Sequence, residues 1–106
     1  MIDFRKLIIS CCGIRLRITK EYIDVHCWYL GISREELTDF TIPDGVTEIG
    51  IGTFYGCTSL SSTTIPDSVT EIGGGTFEGC TSLRSITIPD SVTEIGEGAF
   101  EECTAI

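Results

Sequence analysis

Ile65-Pro66-Asp67-Ser68-Val69-Thr70-Glu71-Ile72-Gly73 decides the fold because it comes back. It returns 23 positions later as Ile88-Pro89-Asp90-Ser91-Val92-Thr93-Glu94-Ile95-Gly96. It is preceded, one step earlier, by Ile42-Pro43-Asp44-Gly45-Val46-Thr47-Glu48-Ile49-Gly50. Working outward, Phe54, Phe77 and Phe100 keep the same step, as do Cys57, Cys80 and Cys103, and Leu37, Leu60 and Leu83. Three tandem units follow, 37–59, 60–82 and 83–105. Self-similarity at one fixed period of this length is the signature of a repeat solenoid, in which each unit is one turn of a coil.

The residue types say how one turn is built. Leu60, Thr63 and Ile65, or Leu83, Ile86 and Ile88, put one side of a short extended segment towards a core, with Ser62 and Thr64 on the other side. Pro66-Asp67-Ser68 then turns the chain, since proline presets φ and Asp bonds nearby amides. Val69 and Ile72 re-enter the core, and Gly73 permits a second sharp bend. Residues 75–80 carry a Phe anchor and a small thiol on a tight turn. No unit buries its apolar face alone, so neighbours must stack. The fold class expected is a short, β-rich solenoid of parallel β-ladders and tight turns.

The pattern Leu-x-x-Ile-x-Ile-Pro-Asp-x-Val-x-x-Ile-Gly-x-x-x-Phe-x-x-Cys resembles the BspA-type leucine-rich repeat over residues 37–105. The resemblance implies a curved solenoid with a parallel sheet on its concave side. It also implies a role in protein–protein contact or adhesion, with no catalytic residue to carry over, and proteins that are often surface-exposed or secreted. This sequence departs from the family in its few repeats and its unfamiliar first 36 residues.

Residues 1–36 are expected to form an N-terminal cap, either a small hairpin or a degenerate opening coil. Ile14-Arg15-Leu16-Arg17-Ile18 alternates strictly, and Tyr22 to Trp28 alternates again, which reads as two strands. That reading places Ile14, Leu16, Ile18, Ile23, Val25 and Cys27 over the first repeat, covering an apolar face that would otherwise be open. Arg5-Lys6 before Leu7-Ile8-Ile9-Ser10-Cys11 imitates an export signal, but its apolar stretch falls short of the ~7–15 residues required and Arg15 and Arg17 follow at once. As it stands the chain is therefore expected in the cytoplasm.

Charge divides the chain at the same place. Residues 1–36 hold six basic and five acidic side chains; residues 37–106 hold eleven acids against Arg84 alone. With a net charge of −9, the protein is repelled by phosphate backbones and anionic bilayers, which excludes nucleic acid as a partner and favours a basic protein. At 42% hydrophobic residues it is no disordered tail, and no apolar run approaches the ~20 residues of a membrane helix.

Candidate sites are few. Cys57, Cys80 and Cys103 stack one strand spacing apart with parallel side chains, which suits free, buried thiols rather than disulfides. Cys11, Cys12, His26 and Cys27 offer four metal-type ligands, but neighbours on a strand point to opposite faces, so zinc is not expected; a Cys12–Cys27 disulfide is the other reading. His26 has no nucleophile beside it, and Gly73-Gly74-Gly75 lacks the Lys-Ser/Thr of a phosphate loop, so neither an enzyme nor a cofactor is expected. The Asp44, Asp67, Asp90 and Glu48, Glu71, Glu94 rows read as turn chemistry and a solvated face, since one carboxylate per coil does not assemble a calcium shell. The expected partner-binding surface is the polar concave face: Asp39, Thr41, Ser62, Thr64, Arg84, Ser85 and Thr87. The alternative function is structural self-assembly, a two-fold homodimer through a C-terminal solenoid edge of Leu83, Ile86, Ile88, Val92, Ile95 and Phe100.

Overall fold

A step of 23 residues in sequence is one strand spacing in space. The amides of Ser61, Thr70 and Thr93 donate to the carbonyls of Thr38, Thr47 and Thr70, at 2.8–2.9 Å, each joining a coil to the one before it. The computed structural model describes residues 16–106. In chain order these form β1 (Leu16–Ile18), α1 (Lys20–Leu30), a 3-10 turn (Arg34–Glu36), β2 (Asp39–Thr41), β3 (Val46–Ile49), β4 (Ser62–Thr64), β5 (Glu71–Ile72) and β6 (Glu94–Ile95).

Every strand pair is parallel. One sheet has the order β1-β3-β5-β6 and the other is β2-β4. The two sheets are successive sides of the same coil. Proline-led turns connect β2 to β3 and β4 to β5, closed by Val46 N–H to the Pro43 carbonyl and Val69 N–H to that of Pro66. Val92 N–H and the Pro89 carbonyl repeat the bond in the third coil. On the remaining side the ladder runs forward: Phe54 and Phe77 donate to the carbonyls of Thr76 and Ala99, both at 2.8 Å.

The core is a set of columns. Ile18, Ile49 and Ile72 form one, Leu37, Leu60 and Leu83 another, and Cys57 and Cys80 a third, all buried. Phe54, Phe77 and Phe100 stack nearly parallel at 5.3 and 5.4 Å between ring centroids, and Phe40 closes the row edge-on against Phe54 at 5.5 Å. Offset stacking of this kind adds to the burial of each ring.

The opening coil, ahead of the first repeat, corrects one sequence expectation. Leu16–Ile18 is a strand, but it does not form a hairpin with residues 22–28, which lie in α1. Thr19 caps that helix, its Oγ1 accepting from Tyr22 N–H, and Gly31 ends it in the left-handed region at φ 72°. An N-capping Thr and a C-terminal Gly bracket eleven residues, and that bracketing outweighs the alternation. Ile23 and Cys27, four apart, enter the core. Val25, expected inward, is exposed instead. Ile14 lies outside the described residues. No helix among the described residues is long and apolar enough to cross a membrane.

Candidate functional site

The outward sides of β2 and β4 carry the polar face. Asp39 lies opposite Ser62 and Thr41 opposite Thr64, while Phe40 between them is buried and Thr63 half-buried. The Thr63 hydroxyl donates to the Phe40 carbonyl at 2.8 Å, so the side chain that a hydrophobe would fill is tied to the neighbouring strand. Asp39, Thr41, Ser62, Thr64, Arg84, Ser85 and Thr87 are all exposed.

The third coil departs from the expected continuous sheet. Residues 84–88 form no strand, and none of the backbone bonds that tie Ser61 and the β2-β4 ladder recurs between them and β4. A groove of about 490 Å³ lies there, walled by Ser62, Thr64 and Asp67 on one side and by Ser85, Thr87 and Pro89 on the other. Beside it a second, hydroxyl-lined depression of about 530 Å³ is formed by Ser59, Ser61, Thr81, Ser82, Arg84 and Ala105. Sequence reasoning missed Ser59 and Ser82, although they stand 23 residues apart and so share a column.

The C-terminal edge is narrower than the sequence suggested. Leu83 is fully buried within the core cluster and does not belong to it. Ile86, Ile88, Val92 and Phe100 are half-buried, and Ile95 is 50% exposed. A further apolar patch has no counterpart in the sequence reading. Val25, Trp28 and Tyr29 crowd one side of α1, with Trp28 79% exposed, and the 3.6-residue period of a helix would have found them.

Metal-type ligands do not converge among the described residues. His26 is half-buried, edge-on to Phe40 at 4.9 Å, and burial holds its pKa below the usual histidine value. Cys27 faces the core, and burial pushes its thiol up. No group of three His, Cys, Asp or Glu side chains among the described residues could hold a metal ion. Cys11 and Cys12 lie outside those residues. Cys27, Cys57, Cys80 and Cys103 are free thiols.

The sequence of these parallel coils, with its 23-residue step, Phe row and thiol column, matches the family model described as BspA type leucine-rich repeat region (6 copies), over residues 22–106. The chain belongs to the BspA-type leucine-rich repeat family. A crystal structure of a leucine-rich repeat protein from Bacteroides ovatus is similar, with 43% sequence identity and a TM-score of 0.62 over 64% of this chain. The match covers 18% of that protein's chain, so the present chain spans under a fifth of its length. None of the curated proteins matches. Leucine-rich repeats of this kind are in general protein-interaction modules and are typically non-catalytic.

Proposed function

We propose that this BspA-type repeat chain is a non-catalytic binding module that holds a basic protein partner on its β2-β4 face. The reading rests on one observation: Asp39, Thr41, Ser62 and Thr64 are exposed in two adjacent, in-register strands, with Arg84, Ser85 and Thr87 exposed next to them. Their setting is acidic, since eleven carboxylates accompany Arg84 in residues 37–106. Such a field speeds the arrival of cationic partners and rejects anionic ones.

The test is peptide display against the immobilised protein, followed by Asp39→Lys and Arg84→Glu. Lys- and Arg-rich peptides should dominate, and Asp39→Lys should weaken them at least tenfold while molecular mass and circular dichroism stay unchanged. Peptides without basic bias, or binding indifferent to both substitutions, would overturn the proposal.

A second reading, self-association through the C-terminal edge, is favoured by Ile95. Its column neighbours Ile18, Ile49 and Ile72 are buried, whereas it is half exposed on the outer strand.

A further inference from the structure

The third coil (83–105) is docked on the second (60–82) along two sides and stands open along the remaining one. Thr93 N–H donates to the Thr70 carbonyl at 2.9 Å and Gly96 N–H to that of Ile72 at 2.7 Å, while Phe77 and Gly79 donate forward to Ala99 and Glu101 at 2.8 and 2.9 Å. Over residues 61–68 the second coil also holds the first. Ser61 N–H donates to the Thr38 carbonyl, Thr63 Oγ1 to that of Phe40 and Ser68 Oγ to that of Val46, beside the β2-β4 ladder. Arg84, Ile86 and Ser91, their counterparts one step on, make none of these bonds. Ser91 Oγ is buried without a partner, whereas Ser68 Oγ accepts from Gly45 N–H as well. An unsatisfied buried hydroxyl marks chain that is not fully engaged with its neighbour.

One column accounts for the opening. Phe40, Thr63 and Ile86 hold the same place in successive coils, and Thr63 offers Ile86 a single methyl group where its neighbours carry full apolar side chains. Ile86 stays half-buried, and β4 is left with one edge unpaired. Backbone groups alternate sides along a strand, so with the Ser61 amide facing Thr38, those of Ser62 and Thr64 face the groove of about 490 Å³. Ser62 and Thr64 are exposed; Ile65 and Ile86 contribute to the lining and Asp67 to the wall.

We infer that this groove takes an extended strand of the partner, whose backbone pairs with Ser62 and Thr64 along the free edge of β4. This deepens the binding reading above and rests on it. Side chains of the incoming strand alternate between two environments. One set shares the inward side with Thr63 and covers Ile86, which suits β-branched apolar residues. The other set shares the outer face with Ser62 and Thr64, with Asp39 on the adjacent strand and Asp67 in the wall, which suits lysine or arginine. The partner segment is therefore alternately basic and β-branched, held by main-chain bonds and selected by its side chains. It engages only residues 62–67 and 85–89, so β1 and β6 play no part.

The probe is an end-blocked peptide of alternating Lys and Val, with its Glu-Val counterpart as control, titrated into the full chain under reducing conditions. The Lys-Val peptide should bind at least tenfold tighter. Hydrogen exchange followed by NMR should find the Ser62 and Thr64 amides unprotected in the free protein and at least tenfold slower with peptide bound. Thr63→Ile gives Ile86 a full apolar neighbour, so residues 84–88 should close onto β4, protect the same amides without peptide and weaken the peptide at least tenfold. If circular dichroism shows that variant unfolded, peptides N-methylated at every second residue decide, because methylation blocks strand pairing and leaves charge alone. One of the two methylation phases should then lose at least tenfold in affinity. Tight Lys-Val binding with both amides unchanged, and with both methylated peptides as good as the parent, would leave the basic-partner reading standing and overturn the strand. Amides already protected in the free wild type would show the groove closed by the chain itself, and overturn it too. No binding of the Lys-Val peptide would overturn the strand alone, with the display experiment deciding the reading beneath it. Equal binding of the Lys-Val and Glu-Val peptides would overturn both.

Discussion

The Arg34 guanidinium lies 3.5 Å from the Cys57 sulfur, one repeat length before it, where a fourth cysteine of the column would stand. It does what the thiols do, and more. Cys80 and Cys103 donate to the Phe54 and Phe77 carbonyls, whereas Arg34 reaches the carbonyls of Thr53, Tyr55 and Lys20 and the Asp24 carboxylate. It thereby pins α1 and the opening coil to the first repeat. Arg34→Met should cost about 2–3 kcal/mol, since charged hydrogen bonds are lost and carbonyls left bare. Urea denaturation checks this, and a loss under ~0.5 kcal/mol would show the clamp to be a surface ornament.

Corner glycines should differ in their tolerance of alanine. A Cβ on Gly73 would sit 2.6 Å from the Ile51 nitrogen and 2.7 Å from the Gly50 carbonyl carbon, both backbone atoms that cannot yield. On Gly50 the nearest atom is the Ile18 oxygen at 3.2 Å. Gly73→Ala should therefore prevent the repeats 37–59 and 60–82 from stacking as they do, while Gly50→Ala leaves a folded, weaker protein. Thermal unfolding of the two variants orders them, and equal melting temperatures would contradict the close approach.

The same column logic explains how much could be read beforehand. Ile, Leu, Phe and Cys recurring every 23 residues are columns, and stacking them dictates coils, turns and parallel ladders with little freedom left. In the opening coil, ahead of the first repeat, the 23-residue motif is absent. Ile23, Val25 and Cys27 sit in an apparent alternation that a strand and a helix share over so short a stretch, and only Thr19 and Gly31 discriminate. The polar face was legible through its alternation with Phe40 and Thr63. The parting of residues 84–88 from β4 was not, because a repeat predicts the same neighbours for each coil, and Leu83 was misplaced for the same reason.

Thr53 and Thr76 are fully buried, and each hydroxyl donates to carbonyls of its own coil and of the coil before: Gly50 and Ile18 for Thr53, Gly73 and Gly50 for Thr76. The third coil has Ala99 at this place. Thr76→Val keeps the shape and removes the donor, so it should cost about 1–2 kcal/mol. Chemical denaturation that finds it neutral would mean the carbonyls are satisfied by the sheet alone.

Glu102 holds φ 59°, the left-handed region, at the position where the two earlier coils have Gly56 and Gly79 at 72° and 78°. A side chain there costs about 1–2 kcal/mol, against a smaller entropic gain in the unfolded chain. Glu102→Gly should therefore stabilise the protein slightly, by roughly 0.5 kcal/mol, an unusual sign for a glycine substitution. A lower urea midpoint would show that Glu102 makes a compensating contact.

The thiol column sets a pH limit. Burial pushes Cys80 up to about 12, with Cys57 and Cys103 beside it adding to the effect, and pushes Cys57 to about 11 against the pull of Arg34. Unfolded, both return to the ordinary 9.0. The folded chain thus keeps protons that the unfolded chain releases above that value, so their contribution is complete below pH 9 and is lost as pH rises towards 11–12. Urea midpoints measured from pH 8 to 11 should fall above 9. In a Cys57→Ala, Cys80→Ala double variant the midpoint should start lower, because two buried groups leave cavities, and then fall less steeply. Equal slopes in the two proteins would mean that other groups, not these thiols, carry the alkaline loss.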